Sequence, residues 1–227
     1  MGYEFDFSFL SEYAPDLWRG VWLTLWMTVV SIVPGFVLGT LCAIGRIYGS
    51  PPVRRVATIY VEAIRNTPLV IQVFWLFFGL AVLGARLDAF TAAVIALSIN
   101  VGAYTAEIMR AGFESIPRGQ REAASCLALS GPQRVLYVEL PQAVERVYPA
   151  LVSQFILMML ATSIMSQISA EELTGVAYQI QSFTFRGFEA YLVTAGIYLV
   201  LVTMLRLTLH GVALAAFPRR RRLGTPL

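Results

Sequence analysis

The chain has 227 residues, of which 57% are hydrophobic and 14% are charged, and its mean hydropathy is +0.68. Soluble domains carry ~25% charged residues, so this composition excludes an ordinary soluble globular protein. The net charge of +3 is small, and the charges are scattered, which argues against a nucleic-acid-binding protein.

Five windows of the sequence carry no Asp, Glu, Arg or Lys. They cover residues 20–45, 66–85, 89–106, 147–170 and 190–205. A membrane-spanning helix needs roughly 20 mainly apolar residues, and the short last window reaches that length if Arg206 and His210 lie near its end. The sequence therefore predicts an all-α polytopic membrane protein of one domain, residues 1–227, with five transmembrane helices. Their expected bounds are residues 20–46, 56–84, 88–111, 142–168 and 188–214.

The charges outside the predicted spans are distributed unevenly. Acidic residues dominate before the first span, whereas residues 219–222 are all arginine, and arginines also follow spans one and three. Because cytoplasmic loops of membrane proteins are rich in Arg and Lys, we expect the N-terminus outside and the C-terminus in the cytoplasm. The acidic first residues do not resemble a cleavable signal peptide, so the first span is the expected insertion signal.

Span one carries Gly35 and Gly39, a pair of small residues that allows close helix contact. Such a face serves either as a seam between two copies or as packing within one chain, and the second is favoured because the motif is common in membrane helices. Cys42 in this span and Cys126 in a later loop lie too far apart for a mutual disulfide to be expected. Neither has the spacing of a metal ligand.

Span two contains Asn66-Thr67-Pro68, in which the proline removes a helix hydrogen bond and predicts a bend. Span three ends with Tyr104-Thr105-Ala106-Glu107. Polar residues at such places can line a transport path, and we take Asn66, Thr67 and Tyr104 as candidates.

The sequences Glu62-x-x-Arg65 and Glu107-x-x-Arg110 each place opposite charges on one helix face. Both should lie near the inner leaflet, where ionised groups are costly unless they are paired. We therefore expect one charge cluster of these four residues. The cluster either changes partners when the protein changes conformation or pairs statically, and static pairing is favoured.

A polar, helix-prone loop, residues 115–140, separates spans three and four. It begins with Gly119-Gln120-Arg121-Glu122-Ala123-Ala124, and Ser130 with Gln133 has the spacing of a capping box. Two short helices are therefore expected, with the break at Ser130-Gly131-Pro132. Ala128 is expected to stay helical.

Span four contains five polar residues on an otherwise apolar helix. They are Gln154, Thr162, Ser163, Ser166 and Gln167. These side chains can bind a solute by hydrogen bonds or bond neighbouring helices, and the sequence does not favour either alternative.

Four strings in this order resemble the permease subunits of bacterial ABC importers, in the branch that takes up polar amino acids such as histidine and glutamine. They are Arg65 to Leu69, Ala103 to Glu107, Gly119 to Ala124, and Leu140 to Ala143. The third is the Glu-Ala-Ala loop of that family. The resemblance implies a multi-pass inner-membrane subunit whose loop docks on a separate ATPase through Gly119, Gln120, Arg121, Glu122, Ala123, Ala124, Ser130 and Gly131.

The resemblance also implies the partners: a second permease subunit, two cytoplasmic ATPase subunits that bind ATP and Mg, and a periplasmic or lipid-anchored solute-binding protein. The chain departs from the family at two positions. Ala128 stands where a glycine is usual, and Ala161 stands where many relatives carry an acid. The second departure modestly favours a heteromeric permease pair over a homodimer, because a partner that keeps the acid could bind the solute's ammonium group. The resemblance implies an amino acid as the solute; the alternatives are an opine, a related amine or another small polar solute.

Other classes of function find less support in the sequence. The chain lacks Gly-x-x-x-x-Gly-Lys-Ser/Thr and contains no lysine, so no cofactor is expected in this subunit. His210 has no nearby metal ligand or nucleophile, and we expect no catalytic residue and no metal site. An ion-coupled secondary transporter or channel without an ATPase is the alternative. Midspan carboxylates and paired broken helices are typical of that class, but the sequence shows only one clear break.

Overall fold

The computed structural model describes residues 4–217, in which helices account for nearly all secondary structure. The α-helices are α1 (Phe9–Tyr48), α2 (Pro51–Arg65), α3 (Leu69–Phe74), α4 (Leu80–Val82), α5 (Ala89–Glu114), α6 (Arg118–Cys126), α7 (Gly131–Arg134), α8 (Leu140–Ala161), α9 (Leu173–Thr184) and α10 (Gly187–Ala216). Two π-helical turns, Trp75–Gly79 and Val135–Glu139, join α3 to α4 and α7 to α8. A 3₁₀-helix, Thr162–Ile168, extends α8. No strand occurs within residues 4–217.

Four continuous helical segments are long and apolar enough to cross a membrane. They are Phe9–Tyr48, Ala89–Glu114, Gly131–Ile168 and Gly187–Ala216. The fifth candidate is the pair Pro51–Arg65 and Leu69–Val82, which is bent by 107°. The predicted all-α polytopic membrane fold is confirmed, with its second span candidate broken. The arginines at 219–222, on which part of the orientation argument depends, lie outside the described residues.

The break in the second candidate occurs at Pro68, where the sequence predicts a bend. Pro68 takes an extended conformation before α3, with φ −62° and ψ 137°. On one side of it, the Asn66 side-chain nitrogen donates to the Glu62 carbonyl at 2.8 Å. On the other side, Gln72 donates to the Thr67 carbonyl at 3.1 Å and to its hydroxyl at 2.9 Å. The Gln72 side chain thus binds the Thr67 carbonyl at the break, whereas the Glu62 carbonyl accepts from both the side chain and the backbone N–H of Asn66, the latter at 3.0 Å.

The described residues form two compact units. One contains residues up to 33 together with 67–98 and 156–207, and the other contains 34–66, 99–155 and the residues from 208 onward. The first has an apolar core. Its buried members are Phe9, Leu17, Met159, Leu173, Val176, Ile180, Ala190 and Leu201.

In the second unit, α1 packs closely against α5 through Gly39. A Cβ atom at position 39 would lie 2.5 Å from the Gly102 carbonyl oxygen and 2.6 Å from the Thr105 Cβ atom. Real side chains do not approach so closely, so only glycine fits here. Gly39 thus packs within the chain, which is the alternative that the sequence favours for this face.

Candidate functional site

The coupling segment, residues 115–140, connects α5 to α8. It folds as α6, a reversal at residues 127–130, and α7. Ala128 has a left-handed φ of 56°, and its N–H donates to the Ser125 carbonyl at 3.0 Å, while the Leu129 N–H donates to Ala124 at 3.3 Å. These two bonds form the Schellman motif that ends helices. The expectation that Ala128 stays helical is therefore wrong, and the reversal begins before Ser130.

Ala128 occupies the position where the resembling family usually has glycine, and the left-handed conformation explains that preference. An L-residue in this conformation is strained by roughly 1–2 kcal/mol. We predict that Ala128→Gly raises the free energy of unfolding by about 1 kcal/mol, because glycine adopts this conformation freely. Thermal unfolding of the purified protein checks this. Ala123→Gly, in the exposed interior of α6, is the matched control and should lower stability by about 1 kcal/mol; equal effects of the two changes would contradict the prediction.

The second helix of the coupling segment begins as the sequence predicts. Ser130 is extended, with φ −64° and ψ 159°, and forms a capping box with Gln133. The Ser130 N–H donates to the Gln133 side-chain oxygen at 2.9 Å. Pro132, in the first turn of α7, has no N–H to leave unsatisfied, so the start of this helix is well defined.

Glu139 is the centre of a buried ionic network that holds the coupling segment. Its side chain is 0% exposed, and its two oxygens accept hydrogen bonds from Arg121 at 3.1 Å and Arg134 at 3.0 Å. The Tyr48 hydroxyl at the end of α1 also donates to this carboxylate. Arg121 donates in addition to the Phe113 carbonyl of α5 at 2.8 Å. The network therefore ties both short helices to α1 and α5.

This network changes the interpretation of Arg121. The sequence placed it among the charges that meet the ATPase, whereas its guanidinium points inward to Glu139. Ala124 is also buried. Glu139 itself was missed, because it stands in the Val138-Glu139-Leu140-Pro141 string without any signal that it is buried.

The outer surface of the coupling segment is exposed and partly apolar. Gly119, Gln120, Glu122, Ala123, Ser130 and Gly131 are all exposed. Leu127, one helical turn beyond Ala123, is 74% exposed, and Tyr137 is 67% exposed. Large exposed apolar side chains beside small ones are typical of a protein contact surface. The sequence had not singled out Leu127 or Tyr137.

The predicted charge cluster forms around Glu107, with one change of membership. Glu107 pairs with Arg46 and with Arg110, the latter at 2.9 Å, and the Arg65 guanidinium lies 3.8 Å from it. Arg65 also lies 5.5 Å from the centre of the Tyr104 ring, a cation–π arrangement. Glu62 is exposed on α2 and is not a member. Including Glu62 was wrong, since the carboxylate is shared by three arginines and Arg46 comes from a different helix.

The polar candidates of span four have different environments. The hydroxyl groups of Thr162 and Ser163 each donate to a carbonyl three residues back, at 2.7 Å. Ser166 and Gln167 line a cavity of about 550 Å³ beside α9. Gln154 lies half-buried on α8. The structure therefore brings Ser166 and Gln167 to a cavity, while the Ser166 hydroxyl also donates to the Ser163 carbonyl at 2.8 Å, as Thr162 and Ser163 do to carbonyls of their own helix.

A second buried carboxylate, Glu172, lies near this cavity. Its side chain accepts hydrogen bonds from the Thr174 and Gly175 N–H groups, both at 2.9 Å, and from the Tyr198 hydroxyl at 2.8 Å. Burial raises its pKa, and these hydrogen bonds act in the opposite direction. It caps the N-terminus of α9, where a carboxylate is favourable.

The model of the binding-protein-dependent transport system inner membrane component family matches residues 15–218. The chain belongs to this family. It is 38% identical over 209 residues to the glutamine transport system permease protein of Escherichia coli (strain K12), covering 91% of this chain and 95% of that relative. It is 36% identical over 201 residues to the arginine transport system permease protein of Bacillus subtilis (strain 168), covering 88% and 92%.

Solved structures agree with the family assignment. A crystal structure of an amino acid ABC transporter with histidines superimposes with a TM-score of 0.84 at 37% identity, covering 93% of this chain and 99% of that one. An inward-facing methionine ABC transporter gives a TM-score of 0.73 at 24% identity, covering 88% and 95%; that match shows a common fold. The resemblance to ABC importer permeases is thus confirmed, and the chain is a transport component of the inner membrane.

Proposed function

We propose that this chain is the permease subunit of an ATP-driven importer for a polar amino acid or a related small polar solute. ATP and Mg are bound by a separate ATPase, and a solute-binding protein delivers the solute. The observation that carries the proposal is the exposed coupling segment, which is held from beneath by the buried carboxylate of Glu139. The glutamine and arginine systems of the relatives support the class of solute.

The geometry suggests how ATP hydrolysis moves the permease. The ATPase contacts the exposed side of the segment at Glu122, Ala123 and Leu127. Force on this surface passes through the Arg121–Glu139 ion pair to α1 and α5. The helix that starts at Gly131 continues to Ile168, so α7 of the coupling segment and the residues Ser166 and Gln167 belong to one continuous helical segment.

Copurification tests the proposal directly. When the chain is expressed with its neighbouring genes and purified through a tag, an ATPase and a solute-binding protein are expected to accompany it. Purified complexes in vesicles should hydrolyse ATP faster when the loaded solute-binding protein is added. Transport by this chain without any ATPase would contradict the proposal and support a secondary transporter.

The same preparation reports the permease pairing, which we propose to be heteromeric. Span four carries no carboxylate from residue 147 to 170, and Ala161 is apolar. A non-identical partner that keeps an acid there would supply the charge for a solute ammonium group. Full transport by a complex with this chain as its only permease would contradict the heteromeric pair while leaving the importer function intact.

We predict that solute affinity depends on Gln167 and not on Ser163. Gln167→Leu should raise the KM for transport by roughly 2- to 12-fold, the loss of one hydrogen bond worth about 0.5–1.5 kcal/mol. Ser163→Ala is the matched control and should be near wild type, because that hydroxyl already bonds to the Leu160 carbonyl. Uptake of labelled solute by vesicles measures both. A larger effect of Ser163→Ala would show that the cavity is not on the solute path.

We predict an N-terminus outside the cell and a coupling segment in the cytoplasm. A cysteine at Ser8, in a variant without Cys42, should react with a membrane-impermeant thiol reagent in intact cells. Cys126 is exposed on α6 and serves as the internal control: it should react only after the cells are opened. A cysteine replacing Thr225 should behave as Cys126 does, although Thr225 lies outside the described residues. Labelling of Cys126 from outside intact cells would show that the orientation is opposite to the predicted one.

A further inference from the structure

Helix α2 has three distinct faces. Ala57 and Val61 are buried against the rest of the unit. Arg54 and Arg55 lie on a charged face, and Val53 and Val56 lie on an apolar face that is nevertheless exposed, Val56 by 68%. An exposed apolar face next to a basic face is the pattern of helices that lie at a membrane surface.

The apolar face borders a groove of about 540 Å³ between α1 and α2. Its lining is apolar except for the Cys42 thiol and the Tyr60 hydroxyl. Helix α1 contributes Leu38, Leu41, Cys42 and Gly45, and α2 contributes Pro52, Val53, Val56, Ala57 and Tyr60. The Tyr60 hydroxyl donates to the Ile99 carbonyl at 2.6 Å, so it already has a partner. The groove thus offers mainly hydrocarbon surface, and an acyl chain matches it better than a polar molecule.

The basic face borders a second depression of about 370 Å³ at the N-terminal end of α2. Arg54, Arg55, Thr58 and Ile59 line it, with Gly49 and Pro51. Both arginines are exposed, and neither forms an ion pair with any residue in the range 4–217. The Arg54 guanidinium makes a long contact, 3.4 Å, with the Ile47 carbonyl. Guanidinium groups bind phosphate oxygens in a bidentate manner.

We propose that α2 and the end of α1 form a binding site for one anionic phospholipid. An acyl chain fills the groove beside Val53 and Val56, and the lipid phosphate lies on Arg54 and Arg55. The occupant is a lipid because the groove opens on a membrane-spanning helix and is apolar. It is anionic because Arg54 and Arg55, which form no ion pair among the described residues, lie where the headgroup would be, and basic sites at this depth favour anionic lipids. The site lies where α1 ends, next to Tyr48, so lipid occupancy stabilises the helix end that contacts Glu139.

The test uses the purified permease complex in mixed micelles of phosphatidylglycerol and phosphatidylcholine, with retained lipid measured by mass spectrometry. Wild-type protein should retain phosphatidylglycerol in preference to phosphatidylcholine. Replacing either arginine, in Arg54→Gln or Arg55→Gln, should lower this preference about fivefold, the effect of one basic residue near a membrane surface. Arg118→Gln, at the exposed start of α6, is the matched control and should change nothing.

Two further experiments distinguish a bound lipid from other occupants of the site. Val56→Trp fills the groove and should reduce phosphatidylglycerol retention, whereas inorganic phosphate in excess should displace little of it. If phosphate displaces the lipid fully, or if Val56→Trp has no effect, the arginines bind an anion without the groove and the proposal is overturned. If Val56→Trp instead releases the partner permease with lipid retention unchanged, the groove is a protein interface and the proposal is likewise overturned.

Discussion

Glu139→Ala is expected to abolish transport while the protein still inserts in the membrane. The change leaves Arg121 and Arg134 without the carboxylate that each contacts at about 3 Å. Removing one partner of a fully buried ion pair costs about 3–5 kcal/mol; the cost here is lower because Arg121 and Arg134 are 33% and 29% exposed, but α6 and α7 lose the contacts that attach them to α1 and α5. Docking of the ATPase would then displace the detached coupling segment without moving the membrane-spanning helices, so transport would stop.

Three measurements on purified Glu139→Ala complexes check this result. Stimulation of ATP hydrolysis by the solute-binding protein should be lost, the thermal unfolding midpoint should fall, and a protease should cut the coupling segment faster. Glu139→Gln keeps the shape and one acceptor oxygen, but it loses the charge and places an NH2 donor against one of the two arginines, so it should fall between wild type and Glu139→Ala. Glu62→Ala, which removes an exposed carboxylate on α2, is the matched control. Wild-type coupling in Glu139→Ala would show that the network is incidental.

Local features of the fold were predictable from sequence because they depend on neighbours in the chain. The bend at Pro68 follows from a missing N–H, and the capping box follows from the spacing of Ser130 and Gln133. The apolar windows locate the spans because the bilayer requires length and hydrophobicity. Ala128 is the local exception. Its left-handed conformation is contrary to the preference of alanine for helix. The one sequence signal at this position is that the resembling family usually has a glycine there.

Features that depend on partners from distant segments were not predictable. Three of the four predicted members of the Glu107 cluster were right; the i,i+3 contact with Arg110 is local, whereas Arg46, which takes the place of Glu62, lies 61 residues away. Glu139 was missed for the same reason: Tyr48 is 91 residues distant, and no periodicity shows that a carboxylate in a polar loop is buried. The sequence likewise could not distinguish Gln167, at a cavity, from Ser163, bonded to its own helix.

The exposed side of the coupling segment leads to the other prediction of large effect. Glu122 is exposed on α6 and is not part of the Glu139 network, so Glu122→Arg should leave the fold intact. A Cβ atom at Gly131 would meet no described atom within 4 Å, so Gly131→Trp should also fold and would project a bulky ring from the start of α7.

Both variants should be inserted at wild-type levels and should fail to couple to the ATPase. Placing like charges together at an interface costs several kcal/mol, and a tryptophan at position 131 blocks approach to the surface. Pull-down of the ATPase and transport-stimulated ATP hydrolysis measure the loss. Gly131→Ala is the matched control and should behave as wild type, because a methyl group there points into open space. If both large changes leave stimulation intact, the ATPase does not dock on this surface, and the role of the Glu139 network must be confined to stabilising the permease itself.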